Sequence, residues 1–119
     1  MRTLLFLSFL LTSGAMAQKI EVPPHGMTCE SSGGYILDIY PESTSLLRLQ
    51  FNLVDPKGII IDDNLHQFFY LPLNILTGDD GVVSFSIQGI EEESLKNTHV
   101  FYENDVLDLV LVFDNCDVI

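Results

Sequence analysis

The sequence predicts an all-β fold, a small antiparallel β-sandwich of about seven or eight strands closed by one disulfide. Three observations predict it. Apolar residues alternate with polar ones in several short runs, as they do in strands with one buried face. Clusters of Gly, Pro, Asp, Asn and Ser punctuate those runs at short intervals. Two cysteines, Cys29 and Cys116, stand far apart in the sequence, the second close to its C-terminal end.

At the N-terminus, Arg2 precedes an apolar run from Leu4 to Leu11, and Ala15-Met16-Ala17 supplies a small-residue cleavage pattern. The run is far shorter than the roughly 20 residues of a membrane-spanning helix. Residues 1–17 are therefore expected to be a cleaved signal peptide, and the mature chain is not expected to insert into a membrane. Residues 18–28 read as a lead segment containing Pro23-Pro24 and Gly26, and 29–119 as one domain.

Within that domain the clearest strand is Leu47, Leu49, Phe51 and Leu53, alternating with Arg48, Gln50 and Asn52. Val83, Phe85 and Ile87 alternate with Ser84, Ser86 and Gln88. Leu107, Leu109, Leu111 and Phe113 make one face of a last strand whose other face, Val106, Asp108, Val110 and Val112, is also largely apolar. A strand apolar on both faces predicts a central or doubly covered position. Weaker strands are expected at Tyr35–Tyr40, Gly58–Ile61, Leu65–Leu71 and Thr98–Glu103, with a helical turn allowed only at Glu91–Asn97. Asp62-Asp63-Asn64 and Gly78-Asp79-Asp80-Gly81 read as turns.

Alternating strand directions sort these turns between two ends. One end is expected to collect Glu42, Asp62, Asp63, Glu91, Glu92, Glu93, Asp114 and Asp117, and the other Asp55, Asp79, Asp80, Glu103 and Asp105. A Cys29–Cys116 bridge then requires Cys29 to lie on an additional strand running back toward the first end, for which Met27–Ser31 is the candidate. An exported chain folds where disulfides persist, and two cysteines allow one internal pairing.

Charge narrows the partners. The whole chain carries five basic residues against 17 acidic ones, a formal charge of −12, and loss of Arg2 with the signal takes it to −13. Such a surface repels nucleic acid and anionic lipid and favours basic proteins or metal cations. His25, His66 and His99 lack metal-ligand spacing and read as surface or edge residues. No sequence motif for a nucleophile, a metalloprotease helix or a phosphate loop occurs, so neither catalysis nor a cofactor is expected. Calcium could take carboxylates from Asp62 and Asp63 with Glu91–Glu93. Asp62-Asp63 and Asp79-Asp80 flank one predicted strand, which places them about 20 Å apart and unable to share an ion.

The general plan is similar to that of periplasmic inhibitors and immunity proteins of cell-wall hydrolases: exported, small, acidic, β-rich and with one disulfide. The expectation is an exported, periplasmic or secreted, binding protein that neutralises a basic cell-envelope enzyme. Its contact candidates are Asp62, Asp63, Glu91, Glu92 and Glu93 at one end, then Asp79, Asp80, Tyr102 and Glu103 at the other, where Phe101 and Tyr102 must face opposite ways and Tyr102 is exposed if Phe101 is the one in the core. The alternatives are an accessory subunit of a surface assembly, or a calcium- or glycan-binding module.

Overall fold

A computed structural model describes residues 21–42, 47–91 and 94–119. The expected signal peptide lies outside these residues, as do Glu92 and Glu93. The described chain forms ten strands: β1 (Met27–Ser31), β2 (Ile36–Pro41), β3 (Arg48–Val54), β4 (Ile60–Asp62), β5 (Leu65–Gln67), β6 (Phe69–Leu71), β7 (Ile75–Asp79), β8 (Val83–Gln88), β9 (His99–Asn104) and β10 (Leu109–Val118). The all-β, antiparallel class is as expected. Glu91 and Ser94 form an isolated bridge, and the described residues among 91–97 include no helix.

The sandwich needs one correction. The strands form one sheet, ordered β4-β3-β2-β1-β10-β9-β8-β7-β6, with β5 also paired to β3. It is one sheet because β1 hydrogen-bonds to β2 on one side and to β10 on the other. The disulfide therefore joins neighbouring strands: Cys29 and Cys116 face each other in the β1–β10 register, 4.1 Å apart at Cα. Twist rolls the sheet into a half-barrel. Val22, Met27, Leu37, Ile39, Leu49, Phe51, Leu53, Leu76, Phe85, Ile87, Val100, Tyr102 and Phe113 are buried inside it.

The chain between Ile60 and Leu71 shapes the curl. β4 and β5 both run antiparallel to β3, so the chain does not reverse at Asp62-Asp63-Asn64. It continues past Phe68, whose N–H still donates to Leu47 O, and pairs as β6 with β7. One extended run thus bonds first to one limb of the sheet and then to the other. The predicted strand Leu65–Leu71 is in this way divided between two partners.

β7 is an additional strand, and Gly78 lies inside it instead of in a turn. A Cβ on Gly78 would collide with the carbonyl oxygen of Gln67 and with the Phe85 ring, so only glycine lets β7 pass this close to β5. Gly78→Ala should destabilise the fold by about 1–3 kcal/mol through overpacking. A lower urea midpoint with an unchanged m-value checks this.

Strand faces follow the expected alternation through β3 and β8. In β9 the inward residues are Val100, Tyr102 and Asn104, and the outward ones His99, Phe101 and Glu103. β10 is central in the sheet order, yet its outer residues Val110 and Val112 are uncovered. A register shift near its end, where Glu30 faces Asn115 and Ser31 faces Phe113, leaves Asp114 as the extra residue and turns Cys116 inward beside Cys29.

Candidate functional site

The turns between β1 and β2, β3 and β4, β7 and β8, and β9 and β10 share one end of the half-barrel, here the upper end. The structure places its most unusual chemistry there. Asp62, at the close of β4, is 2% exposed, and His66, on β5, is 5% exposed. His66 Nε2 lies 2.9 Å from Asp62 Oδ2 and 3.1 Å from Oδ1. Tyr102 OH, reaching across from β9, donates to Asp62 Oδ2 at 2.7 Å. Asn64 Nδ2 donates to Asp62 Oδ1 at 3.0 Å.

The network continues in two directions. Asn104 Nδ2 donates to Tyr102 OH at 3.3 Å, while Asn104 Oδ1 accepts the Leu107 N–H at 3.1 Å and so holds the β9–β10 turn. On the other side, His66 Nδ1 lies 3.6 Å from Asp80 Oδ2. Asp80 Oδ1 caps the β7–β8 turn by accepting the N–H groups of Val82 and Val83 at 2.9 and 2.8 Å. The His66 ring also packs on Phe51 and Phe85.

Burial alone would raise the Asp62 carboxyl, but hydrogen bonds from His66, Tyr102 and Asn64, with the nearby imidazole charge, outweigh it and hold the group below the usual carboxylate range. Asp80 is also held low, chiefly by the Val83 and Val82 N–H donors. Burial pushes the Tyr102 phenol up; Asn104 works against this, and the charges of Asp62 and Asp80 add to it. The result is an ionised carboxylate pair beside a neutral phenol.

Above this network an open pocket of about 340 Å³ is lined by Ile61, Asp62, Asn64, His66, Asp80, Val82, Val83, Asn104, Val106 and Leu107. Exposed apolar residues occur both on its rim and on the outer face of the sheet. Val82, Val106 and Leu107 at the upper end are followed down the outer face of β9 and β10 by Val110, Phe101 and Val112. Phe101 stands opposite Val112, and Glu103 opposite Val110. Ser84 and Ser86 of β8 leave a shallow groove beside Phe101, about 360 Å³ in volume. Below the stripe, His99 Nδ1 pairs with Asp114 Oδ1 at 2.8 Å.

Several sequence expectations change. Asp62, a contact candidate in the sequence, is buried and engaged by His66, Tyr102 and Asn64. It also sits at the upper end with Asp80, whereas Glu91 follows β8 and lies at the far end. Asp62 and Asp80, expected about 20 Å apart, approach opposite nitrogens of one imidazole. Asp62 and Glu91, expected together for calcium, are at opposite ends. Among the described residues, no group of three or more His, Cys, Asp or Glu is placed to hold a metal ion. His66 is buried instead of superficial. Tyr102 points inward, and its neighbour Phe101 is the outward aromatic, 42% exposed. Asp63, Asp79 and Glu103 are exposed; Asp63 accepts from Gln50, and Asp79 caps Gly81.

Compared with known proteins, the chain matches no family model, no curated protein and no solved structure. Among the described residues, no helix is long and apolar enough to cross a membrane.

Proposed function

We propose that this chain is an exported, acidic binding protein of the inhibitor or immunity type, which neutralises a basic enzyme of the cell envelope such as a peptidoglycan hydrolase. The observation that carries this reading is the apolar stripe Val82, Val106, Leu107, Val110, Phe101 and Val112, bordered by carboxylates in a chain with more than three acids for each base. An interface core is apolar with an aromatic anchor, and its rim is polar. Here the rim candidates are Asp79, Asp80, Glu103, Asp105 and Asp108, all exposed. These charges steer a basic partner and set the on-rate, while Phe101 and its neighbours set the lifetime of the complex. The intact disulfide supports an oxidising compartment, in keeping with the leader-like start of the chain.

The test is kinetic. Purified basic envelope hydrolases are assayed for inhibition by the chain, and the inhibited one is carried to a biosensor. The on-rate should fall steeply as salt rises past physiological strength, where the Debye length is about 8 Å. Phe101→Ala should mainly accelerate dissociation, by about tenfold or more for a true anchor. Failure to inhibit any hydrolase, or binding indifferent to both salt and Phe101, would remove this reading.

A further inference from the structure

The upper-end pocket has an electrostatic imbalance that its own residues do not correct. Its lining contains two carboxylates, Asp62 and Asp80, and one group able to carry positive charge, His66. With His66 protonated the lining has a net charge of −1; with it neutral, −2. No Lys or Arg lines the pocket. The two carboxylates are unequal. Asp62 is buried and engaged by three side chains. Asp80 is 57% exposed, spends Oδ1 on two backbone N–H groups, and holds Oδ2 beyond hydrogen-bond reach of His66 Nδ1. Asp80 Oδ2 is thus an ionised acceptor at the mouth of a cavity whose apolar walls are Ile61, Val82, Val83, Val106 and Leu107, with Asn64 and Asn104 as its neutral polar groups.

Apolar walls above a carboxylate form a receptor for a long side chain with a cationic end. The stem covers apolar surface and the head meets the charge. A metal ion fits less well, because the imidazole ring lies between the two carboxylates and prevents them from converging on one point. From this we infer that the pocket receives an arginine or lysine side chain projected by the basic protein partner, with its head on Asp80 Oδ2 and its stem against Val82, Val106 and Leu107. The inference deepens the proposed function and rests on it for the source of that side chain. Val106 and Leu107 of the pocket wall lead directly into β10, whose Val110 and Val112 are exposed, so a protein lying along β9 and β10 could reach over the upper end with a projecting cation. Asp80 fixes the β7–β8 turn and Asn104 the β9–β10 turn, so the walls that these turns supply are preformed.

The experiment uses the full mature chain and a small probe, N-acetyl-arginine methylamide, with the neutral citrulline analogue as control. Titration is followed by NMR at the His66 ring and at the methyl groups of Val82, Val106 and Leu107. Saturable shifts are expected at these positions, with affinity about tenfold lower for the citrulline analogue and for the Asp80→Asn variant, in line with loss of one charge-assisted contact. Asp80→Asn keeps an Oδ1 acceptor for Val82 and Val83 N–H, and an unchanged urea midpoint verifies that the turn persists. Equal response to both analogues, insensitivity to Asp80→Asn, or no shift at the pocket would overturn the inference. The same variant in the hydrolase assay separates this result from the broader reading. A salt-steered partner that leaves wild type and Asp80→Asn at the same rate would refute the pocket and leave the stripe standing.

Discussion

Reduction of the Cys29–Cys116 bond should lower the unfolding free energy by up to about 4–5 kcal/mol. The chain-entropy estimate for a closed loop of this length gives that figure, which native-state or denatured-state effects usually reduce. The bond spans 87 positions. Its place in the fold adds to the effect. β1 is the strand through which the limb β2–β3 meets the limb β10–β9–β8–β7. Apart from the run Ile60–Leu71, the β1–β10 ladder is the seam between them. Without the bond that ladder must be closed from residues at the two ends of the domain. A loss of this size is a large part of the 5–15 kcal/mol typical of small domains. Urea denaturation with and without reductant, and of the Cys29→Ala/Cys116→Ala variant, measures it. Hydrogen exchange should show β1 and β10 amides losing protection first. Equal midpoints in both redox states would show that the ladder holds the seam unaided.

Part of this architecture was legible in the sequence, and the failures have identifiable causes. Period-two alternation found β3 and β8 because each has one wet face and one dry face. The disulfide called for an extra strand carrying Cys29, with Met27–Ser31 as the candidate, and β1 is that strand. Two errors arose in the same region. Asp62-Asp63-Asn64 has the composition of a reversal, yet Asp62 turns inward to bind His66 and Tyr102 while the chain continues along β3. β7 was hidden because its Gly78 and Asp79 belong to Gly78-Asp79-Asp80-Gly81, which reads as a turn. Leu73 and Asn74 take left-handed φ values of 69° and 59° in the preceding turn, and a leucine there gives no turn signal. One reversal too many and one too few cancel, so the later strands run as expected and only Asp62 and Asp63 fall at the wrong end. The parity of Phe101-Tyr102 was open in the sequence, since either aromatic suits a core. The buried phenol was settled by a partner 40 residues away, which no local pattern contains.

Removing the Asp62 carboxylate should be the most damaging side-chain change in the upper end. Asp62→Ala leaves the Tyr102 hydroxyl, the His66 Nε2–H and one Asn64 N–H without their acceptor, all beside a site closed to water on the core side. Each buried donor left without its acceptor costs about 1–3 kcal/mol. Tyr102→Phe removes one hydrogen bond to a charged acceptor and should cost about 1.5–3 kcal/mol. The pH dependence separates these contributions from simple packing loss. Asp62 is held below its unfolded value, so the unfolded chain takes up protons first as pH falls. The stabilisation is therefore complete above about pH 5 and is lost as pH drops below about 4, through the folded value. Tyr102 is raised, so its contribution is complete below the unfolded phenol value of about 10 and declines as pH climbs above it. Urea midpoints across the pH range should show both limbs in the wild type. Asp62→Ala should shrink the acid limb, and Tyr102→Phe should shrink the alkaline limb. Variants that lose stability equally at every pH would mean that the cluster acts only by filling space. In that case the ionised pair, and with it the charge deficit of the pocket above, would not be a property of the folded protein.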